Sequence, residues 1–65
     1  MTKKELHNCY DNEVIKESIK TYAMLFKNIA LDRGTKQLSN HWKDCSHELL
    51  TRNILTTDDI IHLNL

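Results

Sequence analysis

The sequence predicts an all-α fold: an antiparallel helical hairpin with helices at about 12–33 and 36–54 and a short C-terminal helix at about 57–63, the bundle being completed by oligomerisation or by a partner. Three observations predict it. The chain has no Pro and a single Gly among 65 residues, so helix breakers and tight turns are scarce. Two stretches repeat apolar residues at alternating intervals of four and three, the period of a helix seam. Folding one stretch back on the other at Gly34 sets apolar residue against apolar residue along both seams.

Residues 1–10 read as a mobile segment or a short helical turn, because Thr2 followed by Glu5 is a capping-box pattern. The first long helix has the seam Ile15, Ile19, Tyr22, Phe26 and Ile29, which Val14, Ala23, Leu25 and Ala30 widen. Asp11 or Asn12 is the expected N-cap, and Glu13 suits the positive end of the helix dipole. Gly34 is expected to end this helix in the left-handed conformation. Thr35 opens the second helix as its cap, and the seam there is Leu38, Trp42, Cys45 and Leu49. The next seam position is Arg52, so Leu50 and Ile54 carry the stripe on, rotated by about one residue. Ser39-Asn40 lowers helix propensity near the start. In the C-terminal segment, Thr56-Thr57-Asp58-Asp59 supplies a hydroxyl cap and two acids ahead of Ile60-Ile61, a helix start; the alternation of Ile61, Leu63 and Leu65 also allows a short strand over 57–65.

In such a hairpin, facing residues have numbers summing to about 68. Leu38 then meets Ala30, Trp42 meets Phe26, Cys45 meets Tyr22 and Ala23, and Leu49 meets Ile19. The expected hairpin core is therefore Ile15, Ile19, Tyr22, Phe26, Leu38, Trp42, Cys45 and Leu49. Two helices cannot cover the remaining stripe, so Val14, Leu25, Leu50, Ile54 and Ile61 are the candidate partner-binding residues. Burying four such side chains is worth roughly 6–12 kcal/mol gross, comparable with the whole net stability of a small domain.

Length and composition narrow the function. Sixty-five residues make one domain at most and give little wall for a pocket, so no enzyme, no catalytic residue and no cofactor is expected. Two Cys cannot build a disulfide framework. Zero formal net charge argues against a strongly basic nucleic-acid binder. No stretch approaches the roughly 18 apolar residues of a membrane span, and Met1 to Asn8 lack the apolar centre of a signal peptide. A cytoplasmic setting with free thiols is the expectation.

His41 and Cys45, at i and i+4, invite a zinc reading completed by His7 and Cys9. Cys45 should lie level with residue 23, about 21 Å along the helix from Cys9, so no metal is expected. The same distance disfavours a Cys9–Cys45 disulfide. Pairing Cys45 with His41 or His47 as a nucleophile fails because a seam thiol without a cation is inert. Asp58-Asp59 read as capping acids. Lys16, Lys20 and Lys27 share one helix face and Lys36 and Lys43 another, but Glu13, Glu17, Asp44 and Glu48 interleave with them, as on solvated faces.

Three resemblances attach to the hairpin. Met1-Thr2-Lys3 and the run Leu25, Lys27, Leu31, Asp32 are similar to the Rop family, which implies a four-helix dimer that binds paired RNA loops. Arg33-Gly34, Lys36-Gln37, Trp42, Ser46 and Leu49 resemble the small co-chaperones of type III secretion needle subunits. Ser46-His47-Glu48-Leu49-Leu50 resembles in part the Ser-Gln-Glu-Leu-Asp motif of the sporulation aspartyl-phosphate phosphatases, with His and Leu where that motif has Gln and Asp. What the three families share is the hairpin, and fold analogy is not function. The functional expectation is a cytoplasmic, non-enzymatic interaction module (a regulator, inhibitor or co-chaperone) that docks its apolar stripe on a larger protein or on itself. RNA or DNA binding by a homodimeric bundle is the alternative.

Overall fold

The computed structural model describes residues 2–63. Leu65, part of the expected stripe, lies outside them. Four helices follow in order: α1 (Lys3–His7), α2 (Asp11–Ala30), α3 (Lys36–Thr51) and α4 (Thr57–His62), with no strand among the described residues. The C-terminal segment is thus helical, not extended. The two long helices pack on each other, and α1 packs on α3.

The helix ends show why these residues form these elements. Thr2 and Glu5 close a capping box on α1, and Thr56 and Asp59 close one on α4. Bonds from the Thr56 backbone and hydroxyl to the Asp59 carboxylate hold that group below its ordinary range, as capping predicts. At the start of α2, Tyr10 occupies the cap position in place of Asp11 or Asn12, and its N–H donates to Glu13 Oε1 at 3.1 Å. At α3, Thr35 holds the cap position without a side-chain cap bond; its carbonyl accepts from the Ser39 N–H at 2.7 Å.

Both long helices stop three residues earlier than expected, for the same reason. Asp32 (φ 55°) and Asn53 (φ 59°) turn left-handed. The Arg33 N–H then reaches back to the Asn28 carbonyl (2.8 Å) and the Asp32 N–H to the Ile29 carbonyl (3.1 Å). At the end of α3, the Ile54 N–H bonds the Leu49 carbonyl (3.0 Å) and the Asn53 N–H the Leu50 carbonyl (3.1 Å). Each is a Schellman closure made with a short polar side chain instead of glycine. Gly34 does not take a positive φ, which corrects the expectation for it. A Cβ at Gly34 would meet nothing within 4 Å. Gly34→Ala should therefore raise stability by about 0.4–1 kcal/mol through the unfolded chain, whereas Asp32→Ala should lower it by forcing a plain Cβ into the left-handed region. Thermal melts of the two variants check the pair; destabilisation by Gly34→Ala would refute the assignment of the turn.

The hairpin forms on a different face from the one expected. Val14 (0% exposed), Ser18, Thr21 and Leu25 (4%) are the buried residues of α2, while Ile15, Ile19 and Phe26 of the expected core lie outside. The inner face keeps the spacing of four, three and four but sits one residue earlier in the sequence. Ser18 and Thr21 can be buried because their hydroxyls donate to the carbonyls of Val14 (2.7 Å) and Glu17 (2.8 Å) one turn back. Small side chains there admit Cys45, which is fully buried beside them. The pairing also slides. Tyr22 meets Trp42, Ser18 meets Cys45 and Asp11 meets Arg52, with numbers summing to 63 or 64 and not 68. The early end of α2 shifts the turn toward the N-terminus by about that much.

The core cluster is Leu6, Val14, Cys45 and Leu49, flanked by Cys9, Trp42, Ile54 and Leu55. Above it, Arg52 ties three elements together. Its Nε donates to Glu48 Oε1 (2.7 Å) and its Nη1 to Asp11 Oδ1 (2.8 Å). Its Nη2 donates to the carbonyls of Leu6 (3.2 Å) and His7 (3.0 Å), in the last turn of α1. His7 Nδ1 lies 3.4 Å from the same Glu48 oxygen. The Arg52 contacts lower the pKa of the buried Glu48 carboxylate, and the Glu48 and Asp11 carboxylates raise that of the guanidinium.

Candidate functional site: an unpartnered apolar face on α2

Ile15, Ile19, Tyr22, Phe26 and Ile29 recur at four, three, four and three along α2 and line the side next to its buried face. Ile19 is 65%, Phe26 54% and Ile29 51% exposed, a contiguous apolar face of the kind that marks interaction sites on small soluble proteins. Tyr22 fixes its centre. Its ring packs tilted against Phe26, with centroids 5.8 Å apart, and against Trp42 of α3, 5.1 Å apart.

Beside this face runs an apolar groove of about 250 Å³, lined by Ile15, Ser18, Ile19, Tyr22, Trp42, Leu49, Ile54, Leu55 and Leu63. The surface this lining presents is apolar: Tyr22 and Trp42 contribute ring carbon, and the Ser18 hydroxyl is already committed to Val14. The groove therefore offers shape and dispersion contact without a hydrogen-bonding group for a small polar substrate. The Schellman turn at Asn53 builds its far wall, since it sends Ile54 and Leu55 back over Leu49.

The residues expected to bind a partner divide. Val14 and Leu25 are buried between the helices and are not available, because the inner face of α2 is the one they occupy. Leu50 and Ile54 are half-buried, and Ile61 is 62% exposed on α4. Of the expected core, Cys45 and Leu49 are buried, Tyr22, Leu38 and Trp42 are half-buried, and Ile15, Ile19 and Phe26 form the outer face. Leu6 was not singled out in the sequence, yet it is fully buried. The available signal was its place directly after the Thr2–Glu5 capping box, as the one apolar residue of that short helix.

The His and Cys residues do not converge. His41 Nε2 sits 3.0 Å from Glu17 Oε1 and 3.9 Å from Cys45 Sγ, so one nitrogen faces both neighbours and cannot relay a proton between them. Burial pushes the Cys45 thiol up, away from the thiolate a nucleophile needs. Cys9 Sγ donates to the Glu5 carbonyl at 3.1 Å. Among the described residues, no three His, Cys, Asp or Glu side chains gather in a metal-binding arrangement. No helix among them is long and apolar enough to cross a membrane. The chain matches no protein-family model, no curated protein and no solved structure.

Proposed function

We propose that this protein is a non-enzymatic interaction module whose working surface is the outer face of α2 together with the groove beside it. The observation that carries the reading is the exposed run Ile15, Ile19, Phe26 and Ile29 on a helix whose other side is already packed. A surface helix ordinarily buries one apolar stripe; α2 has a second, at seam spacing, and leaves it uncovered. Such a face serves a regulator, inhibitor or co-chaperone that covers, or is covered by, another helical surface in the cytoplasm, with Cys9 and Cys45 as free thiols.

Charge substitution on the outer face tests it. Ile19→Asp should leave helical content unchanged, because the side chain already projects to solvent, and should weaken capture of an apolar fluorescent dye about tenfold or more, given roughly 1.5–3 kcal/mol for an apolar side chain of this size. Ser18→Leu, on the inner face, should instead unsettle the hairpin. A native chain that captures no dye at low micromolar concentration and binds neither itself nor any protein would end this reading.

A further inference from the structure

We infer that a second recess of the hairpin is a binding site for a free fatty acid, an alkyl chain carrying one anionic head. The inference goes beyond the interaction surface on α2 and uses a different part of the molecule. Trp42 lines two hollows: the groove already described, and a recess of about 410 Å³ toward the turn between α2 and α3. That size falls within the range of small-molecule sites. Leu25 and Ile29 of α2, Trp42 and Leu50 of α3 and Ile60 of α4 give the recess an apolar wall. Thr35, Ser39, Lys43 and His47 recur at intervals of four, so one face of α3 gives it a polar side.

Charge selects the occupant. The ionisable side chains of the lining, Lys43 and His47, are both basic, and no carboxylate lines the recess among the described residues. Lys43 forms no ion pair among the described residues. Its neighbours one turn away on α3 are Ser39, Asn40, Ser46 and His47, none of them an acid that could take up its charge. The ammonium is thus available to a head group, and the imidazole of His47 adds an N–H donor one turn on. The groove beside Ile15 and Ile19 has no charged side chain in its lining, so it holds nothing that would choose a head group. Inorganic phosphate in the recess would leave the apolar wall uncovered, and an uncharged chain would leave Lys43 unpaired. A fatty acid satisfies both.

Trp42, the one Trp of the chain, reports occupancy. Decanoate, titrated into the full chain at neutral pH below its micelle concentration, should change Trp42 emission saturably, and decanol should bind about fivefold more weakly. Octanoate should bind roughly tenfold more weakly than decanoate, as apolar contact requires. Lys43→Glu, at an exposed position, should bring decanoate down to the affinity of decanol or below and leave decanol unchanged. Ile29→Asp, at a side chain 51% exposed, should weaken both ligands with circular dichroism unchanged. Ile19→Asp, beside the groove, should weaken neither. The α2 surface is tested through Ile19 and this site through Lys43 and Ile29, so either can fail alone. The inference is overturned by a response that does not saturate, by equal binding of the acid and the alcohol, by a Lys43→Glu protein that keeps its decanoate affinity, or by a larger loss with Ile19→Asp than with Ile29→Asp.

Discussion

Arg52→Ala should release α1 from the rest of the molecule and lower the melting temperature by roughly 10 °C, a large effect for a chain of this size. The substitution removes the donor to four acceptors at once and leaves the carboxylate of Glu48 buried without its principal partner. Arg52→Lys should recover only part of the loss, because an ammonium cannot fork to Glu48, Asp11 and two carbonyls together. Hydrogen exchange at Leu6 and Cys9, whose amides bond to Thr2 and Leu6 carbonyls, reports the detachment directly. The same cluster makes the fold acid-sensitive. Glu48 is held below its ordinary value in the folded state, so its contribution is complete above the ordinary carboxylate range and fades as pH falls through that range toward the lowered folded value. Glu48→Gln should flatten the stability curve in that window while costing stability near neutral pH. An Arg52→Ala protein with native melting and native exchange at α1 would refute this account.

Leu6→Ala should cost about 2–4 kcal/mol. Leu6 is fully buried in a cluster of only four buried residues, and total stability for this length is roughly 3–10 kcal/mol. Urea titration followed by Trp42 fluorescence measures it. A cost under about 1 kcal/mol would mean that α1 rests on the hairpin without contributing to its core.

The sequence shows which elements form more clearly than which faces meet. Seam spacing, the Thr2 and Thr56 caps and the scarcity of breakers are local signals, and each points to a helix the structure contains. The choice of inner face on α2 is not local. An apolar count favours Ile15, Ile19, Tyr22 and Phe26 over Val14, Ser18, Thr21 and Leu25, because it treats Ser and Thr as outward residues. Once their hydroxyls bond to carbonyls one turn back, Ser18 and Thr21 behave as small apolar residues and bring α3 close to α2. The turn was legible only as a region: Asp32 takes the left-handed position two residues before the glycine that advertises it. The candidate site followed from the same exchange. The residues expected inside became the exposed face, and two expected outside, Val14 and Leu25, became core. Arg52 marked the fraying of a seam, but no pattern in the sequence shows a side chain reaching 41 to 46 residues back.

That reach bears on how the chain is made. The α2–α3 hairpin joins segments adjacent in sequence and closes over a short turn, so it can assemble early. The first helix is synthesised before either of them, yet its anchoring donor is near the far end of α3. A nascent chain therefore carries α1 undocked until Arg52 has cleared the ribosome, so the helix made before the hairpin is anchored after it.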